Sequence, residues 1–400
     1  MPSGQEQLES WLAGHVERVG SREAQELRPS VAAFKDLIHS DPVVGMLVHR
    51  MIEQVPKTRG YSQRHVRDVE HLLTLIDGVL DLAPEYGEEN VTLPMGAVLD
   101  WTMGTPAGIA AYRDTRVNGA LKAILREWCE FLNTPASLYV LNESPQGWKS
   151  AKARADVGME QFRHDPEHEH WGFTSWNDFF TRRFVDGARP VAAPDDDSVI
   201  VSACESTPFG LRTGVRLHDR FWLKGQPYSL HDMLDHDEAA AHFIDGTVYQ
   251  AFLSATNYHR WHSPVAGTVV RAWVVDGTYY SEADTIGESE AESPNSQSYL
   301  AHVATRAIVV IEADNPTIGL MAFVAVGMSD VSSCIIDVHP GQHLDKGEEL
   351  GYFQFGGSTH CLVFRPGVIS QVNIRAVPLP GDPDAPVVLV NSALATAARA

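Results

Sequence analysis

Cysteine is scarce in this 400-residue chain, and basic residues are outnumbered. The four cysteines (Cys129, Cys204, Cys334, Cys361) lie far apart with no CxxC spacing, which gives no support for a disulfide framework or a zinc knuckle. Lys and Arg total 31 against 52 Asp and Glu, a net charge of −21, so no nucleic-acid partner is expected. Long apolar runs are also missing. The best candidate, GLMAFVAVGM at residues 319–328, is much shorter than the ~18 residues of a membrane span and has the length of a buried strand. The opening MPSGQEQLESW shows neither a basic leader nor an apolar h-region. Together these features lead us to expect a reduced, cytoplasmic, enzyme-sized protein without a stable membrane anchor.

At 44% hydrophobic residues the chain can build a substantial core, and its length suggests two or three domains. Up to about residue 163 the apolar residues recur every three and four positions. Val117, Leu121, Ile124, Leu125, Trp128 and Leu132 can share one helical face, and residues 65–82 behave similarly. Pro84, Pro94, Gly104 and Pro106 break this pattern into short helices. After Ser198 the texture changes to short β-rich runs such as GTVYQAFLSA, RAIVVIEA, LMAFVAV and HCLVF, separated by Gly, Pro and Asp. The expected fold class is α+β, with a helical domain over residues 1–165 and a mostly-β domain over 166–400. The final VNSALATAARA reads as a frayed helix or as nothing ordered.

Four segments of the β region combine strand residues with reactive groups. Tyr258-His259-Arg260-Trp261-His262 carries two imidazoles and a guanidinium at a strand end, suited to proton transfer or to holding an anion. Surface histidines, or an HxxH metal pair short of further ligands, fit the same spacing. Phe355-Gly356-Gly357-Ser358 places a hydroxyl after two glycines, where the backbone can be approached closely and a nucleophile is useful; a plain β-turn is the alternative. Residues 201–206 end a strand with Glu205, a carboxylate that can orient a histidine. Residues 223–230 read as a tight turn entering a capped helix. His164, His168 and His170 lie in a polar, acidic linker, and no metal is expected there or elsewhere.

In their joint order these segments resemble the phosphatidylserine decarboxylase family: FFTRRF..GARPV (179–191), the strand end at 201–206, KGxxYSL (224–230), YHRWHSPVAGTV (258–269) and KGEELGYFQFGGST (346–359). The helical first third is similar to the soluble branch that includes pyruvoyl-dependent tryptophan and other aromatic L-amino-acid decarboxylases. The resemblance implies a proenzyme that cuts itself between Gly357 and Ser358. Ser358 Oγ attacks the Gly357 carbonyl to give an ester; elimination and hydrolysis then leave a pyruvoyl group on a small chain of residues 358–400, associated with the large chain 1–357. By the same resemblance His262 is the base, Glu205 stands where the lipid enzymes carry an aspartate that orients it, and Tyr258, His259 and Arg260 bind substrate. The pyruvoyl ketone then takes the amine of a free amino acid as a Schiff base and accepts the electron pair released with carbon dioxide. Phosphatidylserine is the alternative substrate, a biotin- or lipoate-type carrier is the alternative from another class, and a homo-oligomer is compatible with either.

Overall fold

The computed structural model describes residues 4–22, 25–55, 65–87, 93–221, 228–254, 256–283, 296–330, 333–379 and 385–399. The fold is α+β, and the chain divides into two compact units. The first comprises the described residues of Met1–Glu160, His164–Phe179 and Thr278–Ala291; the second comprises Gln161–Arg163, Phe180–Gly277 and Glu292–Ala400. Between residues 160 and 180 the chain alternates between units instead of crossing once at 165, and a later segment returns to the first unit.

The first unit holds α1 (Gly4–Gly20), α2 (Pro29–Ser40), α3 (Pro42–Glu53), α4 (Val69–Val79), α5 (Pro94–Met103), α6 (Pro106–Ala111), α7 (Thr115–Leu132) and α8 (Ala151–Val157), and most of α9 (Trp176–Phe180). Local chemistry sets the starts. Asp41, Asp68 and Asp114 cap α3, α4 and α7 by accepting backbone N–H groups, and proline occupies the first turn of α2, α3, α5 and α6, where no partner for its nitrogen is needed. The face of α7 read from the sequence is the buried one, each of its six apolar residues being at most 2% exposed.

The second unit adds α10 (Leu230–Met233), α11 (Gln297–Val303) and the strands β1 (Val199–Val201), β2 (Thr207–Thr213), β3 (Thr247–Leu253), β4 (Arg260–His262), β5 (Gly267–Val275), β6 (Arg306–Ala313), β7 (Leu320–Gly327), β8 (Cys334–Ile336), β9 (His343–Leu344), β10 (Glu349–Phe353), β11 (Ser358–Phe364), β12 (Ile369–Val372) and β13 (Ala393–Ala397). A seven-stranded sheet runs β2-β3-β11-β7-β6-β5-β9, beside two three-stranded sheets, β4-β10-β8 and β1-β13-β12. Strand β11 is central and buried along its whole length, consistent with the apolar run HCLVF. Leu362 lies opposite Tyr249 and Phe323, and all three share a core with Trp261, Phe353, Ile200 and Ala395 from the two smaller sheets.

The C-terminal tail corrects the sequence reading. Ala393–Ala397 is the middle strand of its sheet, paired antiparallel with β1 and β12, and Leu394, Ala395 and Ala397 are buried. Two ladders of hydrogen bonds and this burial override the helical preference of an alanine-rich segment, which is a weak local bias. The turn expected at residues 223–227 lies outside the described residues, as do residues 380–384 of the proline-rich stretch PLPGDPDAP at 378–386.

Candidate active site

Ser358 is the first residue of β11, opposite Leu253 on β3 and Gly327 on β7. The sequence alone permitted a turn here, but the residue belongs to a strand. Opposed residues on paired strands share a face, and Leu253 belongs to the core, so the Ser358 side chain points between the layers. It is fully buried, and its Oγ makes no hydrogen bond among the described residues. A buried hydroxyl without a partner costs free energy, about 1–3 kcal/mol, and leaves this oxygen uncommitted. Before it, Gly356 has φ 142°, a value glycine tolerates. The Gly357 amide donates to the Ser329 carbonyl at 3.1 Å, and the Gly357 carbonyl accepts from the Met328 amide at 2.9 Å. The carbonyl that Oγ would attack is therefore held and polarised by a backbone donor of the type that stabilises an oxyanion.

His262 ends β4, which the turn before β10 holds in place: the Ser263 amide donates to the Glu348 carbonyl at 2.7 Å and the Gly347 amide to the Ser263 carbonyl at 2.8 Å. Gly347, at φ 86°, turns its own carbonyl to His262 Nδ1 at 2.7 Å. A carbonyl only accepts, so Nδ1 carries the proton and Nε2 is the basic nitrogen. Tyr258 donates its hydroxyl to that Nε2 at 2.9 Å. Burial pushes the Tyr258 phenol up, which keeps it a donor, and pushes the His262 imidazole below its usual 6.5.

The other residues singled out from the sequence have different partners. Glu205 is not brought onto His262: its carboxylate forms a two-point ion pair with Arg189, at 2.9 Å to Nε and 2.6 Å to the terminal nitrogen. Both side chains are about nine-tenths buried, and a planar guanidinium offers a carboxylate two parallel donors that an imidazole cannot match. Asp245, the carboxylate nearest before the His262 strand in sequence, is exposed. Arg260 is engaged by Glu349 at 2.6 Å and by the Thr181 carbonyl at 2.7 Å. His259 is fully buried and stacked on Phe180 with ring centroids 4.0 Å apart; burial, then the Arg182 guanidinium, holds it well below the usual histidine range and hence neutral. Ser358 Oγ hydrogen-bonds to neither histidine.

Sequence reasoning missed Arg189, Met328 and His360. Arg189 stood inside the quoted GARPV stretch; the Met328 amide has no side-chain signal. His360 follows Ser358 by two residues, so strand alternation puts it on the same face, where its ring lies near those of Tyr249 and Phe323 and burial pushes it down to about 3. The histidines of the linker are not gathered: His168 bonds the Glu169 carbonyl, His170 the Leu141 carbonyl, and His164 meets Trp171 edge-on. Lys346 is buried and donates to the carbonyls of Ala193, Asp196 and Val199, so it is no swinging carrier lysine.

A family model described as phosphatidylserine decarboxylase matches residues 176–377, half of the chain and all of the site above, and a second of that description matches residues 28–157. The chain belongs to the phosphatidylserine decarboxylase family. It is similar to decarboxylase iboD of Amanita muscaria, 43% identical over 68% of this chain and 84% of that protein. L-tryptophan decarboxylase of Psilocybe cubensis is 33% identical over 86% of this chain and 82% of its own length. A phosphatidylserine decarboxylase proenzyme of Fusobacterium nucleatum is 30% identical over 56% of this chain and 69% of its own. Like its family, the protein is a pyruvoyl-dependent lyase whose cofactor comes from a serine of its own chain. The unpartnered Ser358 hydroxyl beside a polarised Gly357 carbonyl fits that origin. No helix among the described residues is long and apolar enough to cross a membrane.

Proposed function

We propose that this family member cleaves itself between Gly357 and Ser358 and then decarboxylates a free aromatic L-amino acid, with tryptophan, phenylalanine and tyrosine as the candidates. The observation that carries the substrate class is the extent of similarity. The tryptophan decarboxylase of P. cubensis aligns over 86% of this chain and 82% of its own length, whereas a phosphatidylserine decarboxylase proenzyme of Oryza sativa aligns over 75% and 44%, and that of F. nucleatum over 56% and 69%. Four buried free cysteines and a net charge of −21 suit a reducing cytoplasm and disfavour residence on an anionic membrane surface.

In self-cleavage Ser358 Oγ is the nucleophile and His262, its tautomer held by Gly347, is the base; because Tyr258 donates to the Nε2 lone pair, that hydroxyl must turn aside or relay the serine proton to the nitrogen. The Met328 amide stabilises charge on the Gly357 oxygen. After cleavage β11 is still laddered to β3 and β7 of the large chain, which keeps the two chains together. The pyruvoyl carbonyl supplies the electron sink for decarboxylation. His262 returns a proton to the substrate carbon, and neutral His259, with Tyr258, lines the substrate side. Arg260, through Glu349, positions β4.

Carbon dioxide release should be fastest with one of the three aromatic L-amino acids and unaffected by added pyridoxal phosphate. Turnover of vesicle phosphatidylserine without release from any aromatic amino acid would transfer the assignment to the lipid substrate. The histidine also sets a pH profile. Because burial lowers its pKa, His262 remains a neutral base through neutrality. The self-cleavage rate of freshly synthesised chain should therefore be flat from about pH 8 down to about pH 7 and fall below the ordinary histidine value of about 6.5. A rate that climbs steadily with pH would instead implicate direct ionisation of the serine hydroxyl.

A further inference from the structure

A second group of histidines stands in the second unit, outside the site just described. We propose that His218, His231 and Asp232 form a binding site for a divalent transition-metal ion, Zn2+ in the first instance. One ligand atom from each lies within 4.8 Å of the other two, and no other such grouping of His, Cys, Asp and Glu occurs among the described residues. The imidazoles of His218 and His231 lie with centroids 4.5 Å apart and planes tilted by 52°, and the His236 ring lies 4.2 Å from that of His231.

The backbone that carries these side chains is pinned. Arg216 bridges Ser229 in parallel, the Leu230 amide donates to the Arg216 carbonyl at 3.1 Å, and the His231 amide donates to the Leu217 carbonyl at 2.9 Å. This ladder fixes the segment after β2 against the start of α10, so the two histidines are held opposite each other by main chain. The His236 amide returns to the His231 carbonyl at 2.7 Å with His236 at φ 63°, which folds a third imidazole back toward the pair. Ser229 does not cap α10; its hydroxyl donates to the Asp232 carboxylate and so orients it, as the outer partners of metal ligands do. The buried guanidinium of Arg306 donates to the backbone carbonyls of Asp232, Met233 and Ala304.

Two imidazoles and a carboxylate make a borderline nitrogen and oxygen set, suited to Zn2+, Co2+, Ni2+ or Cu2+ rather than to Ca2+ or Mg2+. Ligand bonds of about 2.0–2.2 Å require the donors to close by about 1 Å, within the rotamer freedom of the exposed His218. Water completes a tetrahedron, the His236 nitrogens falling outside the grouping of donor atoms. The ion would clasp the exit of β2 to α10.

The test uses the full-length self-cleaved enzyme, stripped with a chelator and titrated with Zn2+ alone by calorimetry, and with Co2+ followed by its visible absorption. One equivalent should bind per chain, with the absorption of four-coordinate cobalt. His218→Ala, in which an exposed side chain is removed without risk to the fold, and Asp232→Asn should each weaken binding by at least about tenfold. Far-ultraviolet circular dichroism and decarboxylation should be unchanged in both. His168→Ala, in the separate histidine linker, should bind as wild type. Absence of saturable binding, equal affinity in His218→Ala, or loss of binding in His168→Ala instead would overturn the site.

Discussion

Ser358→Ala is expected to purify as one uncut 44.0 kDa chain and to release no carbon dioxide from any amino acid, whereas wild type gives chains 1–357 and 358–400 with a blocked amino terminus on the small one. The substitution removes one oxygen that makes no hydrogen bond among the described residues, in a position of zero exposure. Removing an unsatisfied buried hydroxyl is neutral or stabilising, so the uncut variant should melt at or slightly above the wild-type temperature. No neighbouring thiol can take over, because burial raises Cys361 and Cys204 and keeps both protonated. Intact mass and a denaturing gel measure the first half of the expectation, and trapped carbon dioxide the second. An uncut wild-type chain that still decarboxylates would refute the pyruvoyl origin at Ser358.

Glu205→Gln is expected to act first on stability. The carboxylate pairs with Arg189, the two side chains being 11% and 10% exposed, and Arg189 also lies over the Phe184 ring at 4.2 Å. Removing the negative charge leaves the guanidinium its neutral acceptors, Gln161 Oε1 and the Ala188 carbonyl, but no counter-charge, which costs up to about 3–5 kcal/mol. For a unit of this size that is a fall in melting temperature of roughly 6–20 °C. The double variant Glu205→Leu/Arg189→Leu removes both charges and should recover most of the loss. If the carboxylate instead orients His262, as the family resemblance implied, Glu205→Gln would melt near wild type while self-cleavage slowed by orders of magnitude. Differential scanning calorimetry beside a cleavage time course separates the two roles.

Much of this molecule was legible in one dimension. The face of α7 followed from a spacing of three and four, because a helix buries whichever stripe its apolar residues form. The central strands β6, β7 and β11 followed from continuous apolar runs, since strands covered on both faces have no polar side to reveal. Gly357-Ser358 and the HRWH segment were visible because their chemistry is carried by residue type at fixed short range. The alanine-rich tail was not, because its strand exists only through partners roughly 25 and 200 residues away, and local preference there is weak.

What only the tertiary structure decided is which charged or polar group meets which. Glu205 found Arg189, sixteen residues earlier, instead of His262. Tyr258 and Gly347 took the two nitrogens of one imidazole, and a main-chain amide from Met328 came to the carbonyl of Gly357. His218 and His231 came together with no ligand spacing to announce them. Apolar burial is nondirectional and leaves a periodic trace along the chain. Hydrogen bonds and ion pairs depend on angle and on ångström distances set by strand register and turn geometry, so their partners are chosen only once the sheets are assembled.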